Sequence, residues 1–326
     1  MTDLSFAIQN EMREAPDLLR RFDPQQTADW LPVLQQKKKI LLTGEGSSRI
    51  FPAHNLISQA LYQGSGWHFH TEGARQAHDY NLSDFAIIGA SNSGQTKELV
   101  SLFSLAKEHH IPCLALTATP NSKITELADK SIILSCGKEQ ATAATKSVFE
   151  QALIYQSLLQ GNEWAHKNQA ADICHELLTQ KISNEIIDIL TPATCLYFAG
   201  RNDGVAEELT LKSYEITRKN SDYLEGTYIL HGVEEVMQKT DTVILIEPFA
   251  ADIEKIQSLI EQTIGLKIVA MASFDTPFPT IKLPALAGFH NYFQLMTGWN
   301  LLTATGLANG INLDQTKRAR KLGNAV

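Results

Sequence analysis

Short apolar runs that end in polar or glycine-containing turns recur along this chain, and a helical pattern follows most of them. The first half contains KILLTG, DFAIIGA, PCLALTA and SIILSC, and the second half contains TCLYFAG, TVILIEP and LKIVAMAS. Continuous apolar strands that alternate with helices are typical of parallel sheets buried beneath helices on both faces. The predicted fold class is therefore α/β, with doubly wound parallel sheets.

The second half of the sequence repeats the strand, turn and helix order of the first half. This repeat predicts two tandem subdomains, at residues 36–165 and 166–310. A helical segment at residues 1–35 precedes them, and a tail at residues 311–326 follows. Within the first segment we expect a helix over residues 4–21, interrupted at Pro16 because proline lacks the backbone donor of a helix interior.

Composition excludes several classes of protein. The net charge of −8 and the lack of a basic cluster argue against a nucleic-acid partner. The four cysteines lie far apart without CxxC spacing, so neither a zinc cage nor a disulfide framework is indicated. No apolar run approaches the ~18 residues of a membrane span, and no signal peptide is evident. We expect a cytoplasmic protein without a membrane partner.

The turns of the two halves differ in chemistry. The first half has GEGSS and SNSGQT, whereas the second has GRNDG and EPFAAD. At the carboxyl ends of parallel strands, hydroxyl groups and helix N-termini suit a phosphate. A helix cap at Ser91 or Ser93 is the simpler alternative for one turn, but two such turns favour a small phosphate ester. Dinucleotide and triphosphate fingerprints are absent. The hydroxyl donors are Ser47, Ser48, Ser91, Ser93 and Thr96.

A helical stretch in the second half, EELTLKSYEITRK, places Glu208, Lys212 and Glu215 on one helical face. Spacing alone favours a solvated face with a Glu208–Lys212 ion pair, which contributes little. HFHTEGARQAH contains His68, His70 and His78, but this spacing is weak support for a metal site. We therefore predict no metal.

GEGSS, SNSGQT and EQATAATKS resemble the three sugar-phosphate-binding stretches of SIS (sugar isomerase) domain proteins. The tandem arrangement resembles the double-SIS group, which includes the isomerase half of glucosamine-6-phosphate synthase, glucosamine-6-phosphate deaminases and fructosamine-phosphate deglycases. This resemblance implies two flavodoxin-like subdomains and no cofactor. Asn92 and Gln95 depart from the usual motif. The phosphate ligands it implies are Ser47, Ser48, Ser91, Asn92, Ser93 and Thr96; the other substrate contacts are Gly46, Thr142, Ala144 and Glu208.

The same resemblance assigns catalytic roles. Glu215 takes the position of the catalytic base, with Lys212 and Glu208 in supporting positions. LHGV matches a His-Gly-Pro motif, so His231 is retained while Val233 replaces the proline. In the relatives this histidine reaches the site of the neighbouring subunit, which implies a homodimer. The tail resembles a segment that folds over the sugar, where Lys321 would meet the open-chain carbonyl.

These features predict an aldose–ketose isomerase or isomerising deaminase that acts on an amino-sugar 6-phosphate through an enediol or enolamine. The alternative enzyme is a fructosamine 6-phosphate deglycase. If the protein is not an enzyme, the alternative is a non-catalytic sensor that binds a sugar phosphate. The combination of Glu215, His231 and Lys321 favours an enzyme. Since the length matches only the isomerase half of the synthase, we expect no synthesis from glutamine. No DNA-binding region is recognised, so direct transcriptional control is not expected.

Overall fold

The computed structural model describes residues 6–37 and 39–318. These residues form two compact units. The first unit comprises residues 14–168 with Arg318, and the second comprises residues 6–13 and 169–317. The domain boundaries expected from the sequence stay a prediction.

The first unit contains a parallel five-stranded sheet of order β2-β1-β3-β4-β5. Its three inner strands are buried almost throughout, because both faces of the sheet are covered. The strands are β1 (Lys39–Gly44), β2 (His68–Gly73), β3 (Phe85–Ala90), β4 (Cys113–Thr117) and β5 (Lys130–Ile133).

The second unit contains a second parallel five-stranded sheet, of order β10-β9-β8-β6-β7. In each sheet the first strand lies between the second and the third, which is the doubly wound order expected for flavodoxin-like folds. The predicted fold class is confirmed. The strands are β6 (Cys195–Gly200), β7 (Asn220–Glu225), β8 (Thr242–Ile246), β9 (Lys267–Ala272) and β10 (Thr280–Lys282).

Helices connect the strands in both units. In chain order they are α1 (Ala7–Arg21), α2 (Leu31–Lys37), α3 (Ile50–Tyr62), α4 (Ala74–Ala77), α5 (Lys97–Glu108), α6 (Lys123–Leu127), α7 (Lys146–Ser157), α8 (Lys167–Thr179), α9 (Asn184–Leu190), α10 (Val205–Ile216), α11 (Ile253–Ile256) and α12 (His290–Ala308).

Helix α1 continues through Pro16, so the expected interruption is wrong. Proline costs one helical hydrogen bond, but apolar residues on either side of it are buried, including Met12 and Leu19. Their burial keeps the helix continuous. A second departure is that α11 continues as a π-helix, Gln257–Ile264, which the sequence pattern did not indicate.

The register of the first sheet brings two predicted turns together. Gly44 at the end of β1 pairs with Ala90 at the end of β3. The GEGSS and SNSGQT turns therefore leave the sheet side by side at its carboxyl edge.

Candidate functional site

A cavity of about 370 Å³ opens at the carboxyl edge of the first sheet. It contains most of the predicted phosphate ligands and two of the other predicted substrate contacts, Thr142 and Ala144. Gly46 and Ser47 are not in the lining but form the same 3₁₀ turn as Ser48, with Ser47 buried. The lining comprises Ser48, Ser91, Asn92, Ser93, Gln95, Thr96, Thr119, Lys138, Glu139, Thr142 and Ala144.

The hydroxyl groups of the SNSGQT turn form a connected cluster. The Ser91 and Thr96 hydroxyl oxygens lie 2.7 Å apart, and those of Ser91 and Ser93 lie 3.5 Å apart. The backbone N–H groups of Gly94 and Gln95 donate to Ser91 and Ser93 respectively. Thr96 is the N-cap of α5, yet its side chain makes no capping hydrogen bond. Neither serine caps α5, so the simple capping alternative fails.

Gly94 sets the shape of this turn. Its φ is +65°, and a Cβ atom there would lie 2.1 Å from the Ser122 hydroxyl oxygen. We expect Gly94→Ala to destabilise the protein by more than the ~1–2 kcal/mol typical of the left-handed conformation alone. Gly137 is a matched control, because its φ is +66° and a Cβ atom there would have no neighbour within 4 Å. Urea unfolding should show a larger loss for Gly94→Ala than for Gly137→Ala; equal losses would contradict the steric role.

Glu139 is a buried carboxylate in the cavity wall that sequence reasoning missed. It accepts hydrogen bonds from the backbone N–H of Thr145 (2.7 Å), the hydroxyl of Ser147 (2.8 Å) and the side-chain amide of Asn92 (3.2 Å). The only signal was its place at the start of EQATAATKS.

In the second unit, α10 brings the predicted base and its supporting residues together. The Lys212 Nζ lies 3.3 Å from the Glu208 Oε1 and 2.8 Å from the Glu215 Oε2. The Glu208 and Lys212 residues have 0% exposure, while the Glu215 side chain is 25% exposed. The solvated-face interpretation is therefore wrong for Glu208 and Lys212. Of these three charged side chains, Glu215 is the one that stays partly exposed to solvent.

His231 does not join this cluster. Its Nε2 lies 3.4 Å from the Thr227 hydroxyl, and the side chain is exposed. Glu215 lies in the last turn of α10, just before β7, whereas His231 lies in the connection after β7. A six-residue strand is about 20 Å long. The two side chains thus stand at opposite ends of β7 within one chain.

In the second sheet, a carboxylate stands at the position equivalent to the hydroxyl cluster of the first sheet. Glu247 directly follows β8 as Ser91 follows β3, and each donates its N–H to the adjacent strand at 2.9 Å. The Glu247 carboxylate accepts from the Ser273 N–H and hydroxyl and lies 3.3 Å from the His290 Nε2. The protein's own carboxylate thus occupies the turn that would correspond to an anion site.

Electrostatics reinforce the Glu247–His290 pair. Burial opposes charge on both groups, but the hydrogen bond and the charge of Glu247 raise the pKa of His290. For Glu247, burial is likewise opposed by the hydrogen bond and the charge of His290, so the pKa of this carboxyl is lowered. Each group therefore favours the charged form of the other.

Asp203 predicts a pH dependence of stability. Burial raises the pKa of this carboxyl from 3.8 to about 6. Between these values the folded protein keeps a proton that the unfolded chain has lost, so the group's contribution to stability falls as pH rises. Asn accepts the same Val205 N–H without ionising. We expect Asp203→Asn to gain on the order of 3 kcal/mol over wild type between pH 4 and 7 in urea unfolding; a pH-independent difference would contradict this.

Lys321 lies outside the described residues. Within residues 6–37 and 39–318, no cluster of three His, Cys, Asp or Glu side chains could hold a metal ion. In the same part of the chain, no helix is long and apolar enough to cross a membrane.

Comparison with known families bears on the first unit directly. Residues 33–160 match the sequence model of the SIS domain. The chain carries a SIS domain. The match includes β1 to β5 and the whole hydroxyl-lined cavity.

Two curated proteins are similar in sequence to part of this chain. The chain is 26% identical over 226 residues to an isomerizing glutamine–fructose-6-phosphate aminotransferase of Halobacterium salinarum, covering 62% of this chain and 37% of the relative. It is 30% identical over 188 residues to an uncharacterized HTH-type transcriptional regulator of Haemophilus influenzae, covering 55% and 63%. The matched regions thus cover 37% of the length of the first relative and 63% of the length of the second.

A solved structure extends the likeness in fold beyond the matched SIS domain. Tagatose-6-phosphate ketose/aldose isomerase from Escherichia coli superposes with a TM-score of 0.81, over 96% of each chain, at 18% identity. Both parallel sheets therefore belong to the shared fold.

Proposed function

We propose that this protein is a phosphosugar isomerase or isomerising deaminase that acts on an amino-sugar 6-phosphate. The observation that carries the proposal is the buried Glu208–Lys212–Glu215 cluster with one partly exposed carboxylate. Binding alone has no need of such a group. The hydroxyl cluster of the first unit supports a phosphate ester as the ligand, since neutral donors at the start of α5 suit a dianion.

In this proposal the phosphate binds to Ser48, Ser91, Asn92, Ser93 and Thr96, with Ser47 and Gly46 shaping the turn. Thr142 and Ala144 contact the sugar through their backbone. Binding of the phosphate orients the reacting carbons without taking part in the chemistry.

Glu215 is proposed as the base. It takes the proton from C2 of the open-chain sugar and returns it to C1, so that an enediol or enolamine forms and collapses to the isomer. Lys212 holds the carboxylate in place from 2.8 Å, and Glu208 balances the buried ammonium. In a deaminase, hydrolysis of the resulting imine releases ammonia. Lys321 stays a prediction as the group that meets the carbonyl.

His231 is proposed to open the sugar ring by giving a proton to the ring oxygen, since imidazole titrates near neutral pH. Its position at the other end of β7 from Glu215 supports a role in the site of a second copy. Tyr228 and Val236, three residues before and five residues after His231 in the sequence, also have exposed side chains that a second copy would cover.

Mixed dimers test this arrangement. We expect His231→Ala and Glu215→Gln to be inactive alone and to recover about a quarter of wild-type activity when unfolded and refolded together. Half of the dimers are then mixed, and one of their two sites has both residues. No recovery, with mixed dimers shown by native mass spectrometry, would contradict a shared site.

A substrate panel tests the proposed activity. The protein is incubated with glucosamine 6-phosphate, fructose 6-phosphate and a fructosamine 6-phosphate, and ketose, ammonia and free amine are measured. Ketose or ammonia formation supports the proposal, whereas amine release alone would favour the deglycase. The similarity to a transcriptional regulator favours a sensor as the second candidate function. Tight binding without any turnover would support the sensor and overturn the enzyme.

A further inference from the structure

The side-chain carboxylate of Glu139 lies at the N-terminus of α7. Its Oε1 accepts hydrogen bonds from the backbone N–H groups of Thr145 and Ser147, at 2.7 and 3.3 Å. Thr145 is the N-cap of α7 and Ser147 lies in its first turn. Unpaired N–H groups at a helix start are the usual place for a bound anion. The Glu139 carboxylate therefore takes the anion position of α7, which leaves the start of α5 for a ligand.

Glu139 also fixes the side chain of Asn92. The main-chain carbonyl of Asn92 accepts from the Ala118 N–H and from the hydroxyls of Thr117 and Thr119, so its backbone is already held. Its side-chain nitrogen donates to the Glu139 Oε2 at 3.2 Å. A carboxylate can only accept, so it selects the orientation in which the amide nitrogen faces Glu139. The second hydrogen of that nitrogen stays available to a ligand.

We infer that Glu139 is a positioning residue for the phosphate. It holds Asn92 in the orientation that donates to the ligand, and its own hydrogen bonds to the start of α7 keep the carboxylate in place. Glu139 itself does not touch the phosphate, because two anions so close would repel each other. The inference rests on the proposed function only in taking a phosphate ester as the ligand.

A double-mutant cycle tests this role through binding, measured by calorimetry with inorganic phosphate and glucosamine 6-phosphate. We expect Glu139→Gln and Asn92→Ala each to weaken affinity by about tenfold. The double variant should be no weaker than Asn92→Ala, because Glu139 acts through Asn92. If turnover is present, the loss should appear more in KM than in kcat, because the phosphate contact is made in the ground state as well as in the transition state.

Ser147→Ala is the matched control. It removes another hydrogen bond to the same carboxylate, the hydroxyl contact at 2.8 Å, but leaves Asn92 and the N–H groups untouched. Its unfolding midpoint should fall, whereas its affinity for phosphate should stay within about twofold of wild type. A tenfold loss in Ser147→Ala would mean that general loosening weakens binding, and would overturn the inference.

The other outcomes are equally decisive. Additive losses in the double variant, or unchanged affinity in folded Glu139→Gln, would overturn the inference while the proposed function survives. If Glu139→Gln does not fold, Glu139→Asp replaces it: the charge is kept, the reach to Asn92 is lost, and the loss should match Asn92→Ala. Phosphate binding with the expected cycle but without turnover would leave the inference intact and refute the proposed enzyme. If wild type binds neither ligand, both are refuted.

Discussion

Replacing Glu215 by glutamine is expected to lower turnover of the amino-sugar 6-phosphate by about 10²- to 10⁴-fold, the usual contribution of a general base. Glutamine has nearly the same shape, and its amide oxygen can still accept from the Lys212 ammonium, which lies 2.8 Å from the carboxylate. The helix and the phosphate cavity should therefore remain intact. The amide cannot take a proton from C2, so kcat should fall while the affinity for phosphate stays within about twofold.

Two measurements check this result. Steady-state kinetics gives kcat and KM, and proton NMR in D₂O follows exchange of the C2 hydrogen, which reports proton abstraction even without net turnover. Glu207→Gln is the control, since Glu207 lies on α10 but outside the Glu208–Lys212–Glu215 cluster. Undiminished exchange in Glu215→Gln, or an equal loss in Glu207→Gln, would remove Glu215 from the base role.

The architecture could be predicted from the sequence because buried parallel strands are continuous apolar runs. DFAIIGA shows this directly: every residue after its aspartate belongs to β3, Phe85–Ala90, and the polar turn follows at once. Turn chemistry was equally readable, since Ser91, Ser93 and Thr96 are close in sequence and necessarily close in space. Patterns among residues that are close in sequence predict local structure well, because these residues also lie close together in the folded protein.

Contacts between residues that are far apart in the sequence could not be predicted in the same way. Glu139 contacts Asn92, 47 residues away, and nothing in the spacing of EQATAATKS indicates that partner. The burial of Glu208 and Lys212 is also a tertiary property. Residues four apart on a helix lie on one face whether that face meets solvent or protein, so spacing alone favoured the commoner, solvated case.

The asymmetry between the repeats was visible in sequence, but its physical basis was not. EPFAAD could be seen to lack hydroxyl groups, yet the role of Glu247 depends on Ser273, which directly follows β9, and on His290, which begins α12. Glu247 adopts a φ of +43°, an uncommon conformation for a residue other than glycine. Three distant segments together supply the second sheet with an internal anion in place of a ligand site.

Replacing Lys212 by methionine is expected to lower the free energy of unfolding by about 3–5 kcal/mol, the cost of removing one partner of a buried ion pair. Methionine preserves much of the side-chain volume but removes the ammonium 3.3 Å from the Glu208 carboxylate, which has 0% exposure. Glu208 would then lose the charge that balances it in the protein interior. Chemical unfolding by urea, followed by circular dichroism, measures the change.

Lys123→Met provides the matched control, because Lys123 pairs with Glu126 at 3.0 Å on a helix but with both side chains more than half exposed. Solvent screens that pair, so its loss should cost less than about 1 kcal/mol. Adding Glu208→Gln to Lys212→Met should recover part of the stability, since the amide no longer needs a counter-charge. If Lys212→Met costs no more than Lys123→Met, burial does not govern the pair. If Glu208→Gln brings no recovery, the loss at Lys212 comes from packing and not from the unbalanced carboxylate.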